Sequence, residues 1–76
     1  MPNILTRWYR SDGDVVAAGE PLCEIVTEYA ILEVEAPRAG ILRRLKYAGQ
    51  HILQGDVVAR VEPQKHPSDG SEPKTS

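Results

Sequence analysis

The side chains that could do chemistry in this chain are few, and their spacing argues against most chemistries. His51 follows Gly49-Gln50 beside a turn signal and His66 lies in a polar C-terminal stretch. No further imidazole or thiol is placed to complete a metal site with either, so no metal site is expected. Cys23 falls inside the apolar run Pro21 to Val26, where a thiol behaves as a small buried hydrophobe rather than as a nucleophile. There is no Ser-His-Asp context, no phosphate-cradling glycine loop and no acid pair that a deep pocket could tune, so no catalytic residue is assigned. What remains is a cluster of acids, Glu20, Glu24, Glu28, Glu33 and Glu35, set around one aromatic phenol, Tyr29, with Arg38, Arg43, Arg44 and Lys46 following. Two readings stay open for the cluster: a solvated surface of mixed charge, or an acidic docking face around residue 29. Tyr29 has no core reason to sit where turn chemistry is expected. As a rigid aromatic with a hydroxyl it suits a contact residue, and equally it suits a plain exposed side chain.

The elements that must position these residues read as strands. Apolar runs at Ile4 to Tyr9, Pro21 to Val26, Ile31 to Val34, Ile41 to Tyr47 and Val57 to Val61 are short and separated by glycine-containing turns. Leu42 and Leu45 with Arg43, Arg44 and Lys46 imitate a helical turn, but Gly40 and Gly49 confine that segment. Between Val26 and Leu32 there is no glycine or proline, yet the chain must reverse if Pro21 to Val26 pairs with Ile31 to Val34. The reversal falls on Thr27-Glu28-Tyr29-Ala30 and puts Glu28 and Tyr29 at an exposed hairpin tip. Trp8 and Tyr9 are adjacent on one strand, so one of them faces the core and the other faces out.

A displacement of 36 positions takes Gly13 onto Gly49, Gly19 onto Gly55, Val16 onto Ile52, Leu22 onto Val58, Cys23 onto Ala59 and Ile25 onto Val61. Two copies of one supersecondary unit about a pseudo-twofold axis are therefore predicted.

Seventy-six residues make one small domain with a thin core, confined to residues 1–62. The stretch 63–76 has three prolines and no aliphatic or aromatic residue, so it is expected to be a disordered tail. A single cysteine allows no intramolecular disulfide, and the N-terminus lacks the apolar run of a signal peptide. A reducing, cytoplasmic setting is the expectation, without a membrane span. A net charge of -2 argues against nucleic acid as a partner.

The stretches Trp8-Tyr9-Arg10-Ser11-Asp12-Gly13-Asp14-Val15-Val16, Ala18 to Ala30, Glu33 to Leu42, Ala48-Gly49-Gln50 and Gly55 to Ala59 together resemble the biotinyl/lipoyl carrier domain family. The closer similarity is to its lipoyl branch, as in acyltransferase subunits of 2-oxo acid dehydrogenase complexes. The resemblance covers residues 4–62. It implies an all-β fold, a flattened β-barrel or barrel-sandwich of two small antiparallel sheets with pseudo-twofold symmetry, whose modified lysine stands at a hairpin tip and carries lipoate or biotin. Two departures matter. The family pattern at the tip is Thr-Asp-Lys-Ala, and this chain has Thr27-Glu28-Tyr29-Ala30. A lysine amine forms an amide with the arm, whereas a phenol gives only an ester, so Tyr29 is expected to be unmodified and no cofactor is expected. Lys46, inside the Ile41 to Tyr47 run, and Lys65, in the tail, are poor substitutes. Family members also begin with a strand ahead of the segment matching Ile4 to Trp8, which here is short or missing.

These readings imply a non-catalytic module that keeps the carrier fold without the arm and acts through a protein partner. That partner would be an enzyme that recognises carrier domains, with Glu24, Glu28, Tyr29 and Glu33 as the contact residues. A sheet edge left unpaired would allow a homo-oligomer. The alternatives are a swinging-arm carrier modified elsewhere, or with its lysine replaced, and a hairpin module like those of membrane-fusion transport adaptors. The latter sit between coiled coils, and no heptads occur here.

Overall fold

In the computed structural model, residues 3–64 are described; the stretch 65–76, with Lys65 and His66, lies outside them. Seven strands form, β1 (Asn3–Trp8), β2 (Val15–Val16), β3 (Pro21–Val26), β4 (Ile31–Glu35), β5 (Gly40–Arg44), β6 (His51–Ile52) and β7 (Ala59–Glu62), with no helix among the described residues. They make two antiparallel sheets, β4-β3-β1-β6 and β2-β5-β7. The all-β sandwich is thus the architecture, with open edges rather than a closed barrel.

Strand limits differ from the apolar runs where a turn takes residues away. β5 ends at Arg44 although apolar residues continue to Tyr47, because the Tyr47 N–H is taken by the Gln50 side-chain oxygen at 2.9 Å and the Gln50 N–H returns to the Tyr47 carbonyl at 3.1 Å. Lys46 consequently lies beyond the strand. Its backbone carbonyl accepts the Trp8 indole N–H at 3.1 Å and its ammonium sits 3.8 Å from Asp56.

The repeat extends to individual hydrogen bonds. Asp14 N–H donates to Ser11 O as Gln50 N–H does to Tyr47 O, and Glu20 N–H to Ala17 O as Asp56 N–H does to Leu53 O. Gly13 and Gly49 both have φ of 91°, and Gly19 and Gly55 have 81° and 92°, a region that side-chain-bearing residues avoid. Strand pairs correspond as well: Trp8 faces Cys23 as Arg44 faces Ala59, and Ile4 faces Val26 as Ile41 faces Glu62. Between those two points the alignment slips by one residue. The cause is a bulge in β1, where the pairing passes from Leu5↔Ile25 to Arg7↔Glu24 and leaves Thr6 extra. The bulge puts Thr6 and Arg7 both on the outer face and returns Trp8 to the inner one. Trp8 is half-buried and Tyr9 exposed, and the Trp8 ring also carries the Arg44 guanidinium 5.1 Å from its centroid.

The core consists of two clusters that the pseudo-twofold axis exchanges. Leu5, Ile25, Ile52 and Val58 of the first correspond to Leu42, Val61, Val16 and Leu22 of the second. Cys23, fully buried in the first, corresponds to the partly buried Ala59 that packs on both. Burial pushes the Cys23 thiol up to about 11, which keeps it protonated and unreactive at neutral pH.

Candidate functional site at the β3–β4 hairpin

β3 and β4 form the longest hairpin of the molecule, paired from Pro21↔Glu35 to Val26↔Ile31, so the chain reverses over Thr27 to Ala30. No glycine helps it to do so. One hydroxyl organises the turn: Thr27 Oγ1 accepts the N–H groups of Tyr29 (3.1 Å) and Ala30 (2.9 Å) and donates to the Ala30 carbonyl (3.0 Å). The Thr27 N–H also donates to Ala30 O at 2.8 Å, closing the turn. These bonds satisfy the backbone groups that a two-residue reversal would otherwise leave unpaired. Glu28 and Tyr29 are left at the apex, and Tyr29 is 90% exposed. The exposed Ile31 and Leu32 follow at the start of β4.

The four residues singled out as contacts fall into two places. Glu28 and Tyr29 occupy the tip. Glu24 and Glu33 face each other across β3 and β4 three pairs further down, about 10 Å along the strands. There Glu24 is tied to Arg7 Nε at 3.1 Å and receives the Thr6 hydroxyl at 2.9 Å, while Glu33 accepts the Tyr9 hydroxyl at 3.3 Å. The two carboxylates are thus partly engaged by β1 and its extension. Partial desolvation, then the charges of Glu24 and Glu33, raise the Tyr9 phenol above its ordinary value. Sequence reasoning did not include Arg7, Thr6 and Tyr9 in this group. Only the β1–β3 register brings them there, and a bulge in that register is not visible in a strand pattern.

His51 lies in β6 opposite Ile4. No group of three or more His, Cys, Asp or Glu able to hold a metal occurs among the described residues. An open groove at the side of the sandwich is lined by apolar Leu22, Val34, Val58 and Val61 together with the charged Glu35, Arg38 and Arg60, none of them at the tip. A hairpin apex bearing an exposed phenol can be recognised by a partner.

A family model described as "Biotin-requiring enzyme" matches residues 2–61. The chain belongs to the biotin/lipoyl family. Among curated relatives of this biotin/lipoyl domain is the dihydrolipoyllysine-residue acetyltransferase component 3 of the pyruvate dehydrogenase complex of Arabidopsis thaliana, 39% identical over 57 residues, covering 72% of this chain and 11% of that protein. The dihydrolipoyllysine-residue succinyltransferase component of the 2-oxoglutarate dehydrogenase complex of Cupriavidus necator is 34% identical over 59 residues, covering 76% of this chain and 14% of its own. The pyruvate dehydrogenase protein X component of Mus musculus is 33% identical over 57 residues, with 72% and 11% covered. The biotin/lipoyl chain described here therefore spans between about a tenth and a seventh of the length of these relatives.

Proposed function

We propose that this biotin/lipoyl domain is a recognition module without a swinging arm, presenting Tyr29 where the carrier lysine would stand. The observation that carries the reading is the tip itself: a hairpin apex organised by the Thr27 hydroxyl, with the Tyr29 side chain 90% exposed. In this reading Thr27-Glu28-Tyr29-Ala30 takes the place of the family pattern Thr-Asp-Lys-Ala that the chain resembles. An amide to lipoate or biotin needs an amine, and the phenol supplies none. Lys46 does not take over, since its ammonium is directed at Asp56 and its segment is not a hairpin apex. The module itself is non-catalytic in this reading. Its partner is a protein component of a multienzyme complex such as those to which the named relatives belong. An exposed aromatic of low side-chain entropy suits such a contact.

Intact-mass measurement after co-expression with a lipoate or a biotin ligase tests the reading. The wild-type chain should keep its unmodified mass, and Tyr29→Lys should gain the mass of one arm. A wild-type chain that acquires the arm would overturn the proposal.

A further inference from the structure

The two sheets turn equivalent faces outward, and the charges on those faces are opposite. In β3 and β4, Glu24 lies between the buried Cys23 and Ile25 and has Glu33 directly across from it, so both carboxylates stand on the outer face of the first sheet. In β5 and β7, Arg43 follows the buried Leu42 and faces Arg60, which precedes the buried Val61, so both guanidiniums stand on the outer face of the second sheet. The sandwich thus carries an acid pair on one outside and a base pair on the other. The displacement of 36 positions takes Glu24 onto Arg60, so the repeat keeps the strand and inverts the charge.

Like charges directly opposite on neighbouring strands are unfavourable, and the chain compensates one member of each pair. Glu24 is bonded to Arg7 at 3.1 Å, and Arg43 to Glu62 at 3.1 Å. Among the described residues, Glu33 receives the neutral Tyr9 hydroxyl at 3.3 Å and no cation, and Arg60 forms no ion pair. Each outer face therefore holds one charge that the monomer leaves uncompensated, and the two are of opposite sign.

An apolar row runs beside each charged pair. Two residues from Glu24 and Glu33 towards the tip, Val26 faces Ile31, which is 67% exposed. Two residues before Arg43, Ile41 faces Val15, which is 54% exposed, while Glu62 on its other side is held by Arg43. On both faces the charged row and the apolar row are about 7 Å apart, twice the rise of a strand. A carboxylate row can therefore meet a guanidinium row at the same time as one apolar row meets the other.

We propose that the outer face of the first sheet of one copy stacks on the outer face of the second sheet of another, with Glu33 of one paired to Arg60 of the next. The two faces lie on opposite sides of the sandwich, so the contact runs head to tail and copies add in a row instead of closing as a pair. Two short rows make a small face beside the about 800 Å² per partner that stable complexes bury, so the association is weak and favoured by high concentration and low salt. Glu24 and Glu33 then serve this contact, and the tip with Tyr29 stays free for a different partner.

Sedimentation of the 76-residue chain up to millimolar concentration should show a mean mass that rises reversibly with concentration at low ionic strength. It should return to the monomer as ionic strength goes from about 0.01 M to about 1 M, where the screening length falls from about 30 Å to about 3 Å. Glu33→Arg and Arg60→Glu should each weaken the association about tenfold or more, by setting like charges face to face. Both should keep the β-sheet circular dichroism of the wild type, since each reversal puts opposite charges across its own strand pair. The neutral Glu33→Gln and Arg60→Gln should fall between. Mixed in equal amounts, the two reversed chains should pair, because the acid face of Arg60→Glu and the base face of Glu33→Arg are both intact. Tyr29→Ala should associate as the wild type does, so this proposal and the reading of the tip can fail separately. A wild type that stays monomeric at low salt would overturn the proposal. So would association that survives both reversals, a mixture that stays monomeric, or loss of association in Tyr29→Ala.

Discussion

Thr27 shows how much one side chain can decide at the hairpin tip. Its hydroxyl makes three hydrogen bonds within the turn, and no glycine is present to relax the backbone in its place. Replacing it by valine keeps the shape and removes the bonds. Thr27→Val should cost about 1 kcal/mol of stability, since water reaches the freed groups. It should also speed amide exchange at Tyr29 and Ala30 without altering that of the β1–β3 ladder, and Thr27→Ser should restore most of both. Unchanged exchange at the two amides would mean that the strands alone hold the tip. The position of Tyr29 at a reversal was legible in the sequence, because two apolar runs with no breaker between them leave one place to turn. The turn's internal bonding was not legible, because serine and threonine hydroxyls have several local partners and only the folded backbone selects among them.

At the scale of elements, the close approach of β5 to β7 depends on Gly40. A Cβ there would run into the carbonyl oxygen of Glu62 and come within 2.9 Å of Val61 Cγ1. Backbone cannot yield as a flexible side chain can, so Gly40→Ala should destabilise by about 3 kcal/mol, at the upper end of overpacking costs. Chemical denaturation measures this, and a change below 1 kcal/mol would show that the sheet shifts freely. β1, β3, β4, β5 and β7 were visible as alternating or apolar runs. β2 and β6 have two residues each and appeared only as apolar steps between glycine turns. A two-residue strand has no periodicity of its own; it is defined by its partner, Ile41 and Gly40 for β2 and Ile4 and Asn3 for β6. The Thr6 bulge escaped notice for a related reason, since an inserted residue is recognised only against the strand it fails to match.

For the molecule as a whole, the pseudo-twofold axis equates the two cores and makes a prediction about both. Leu5 and Leu42 are each fully buried and equivalent by symmetry. Leu5→Ala and Leu42→Ala should each destabilise by about 2–5 kcal/mol, and by amounts within about 1 kcal/mol of each other. Thermal unfolding compares them directly, and a large inequality would mean that one half carries the fold. The repeat, the glycine turns, the all-β class and the tip at residues 27–30 were determined by the sequence alone, because positive φ and two-residue alternation are local properties written residue by residue. The tertiary structure decided that β1 lies between β3 and β6, and that Arg7 and Thr6 reach Glu24. Alternation tells which face of a strand is buried and says nothing of which strand lies beside it. That choice belongs to hydrogen bonds between residues far apart in the chain.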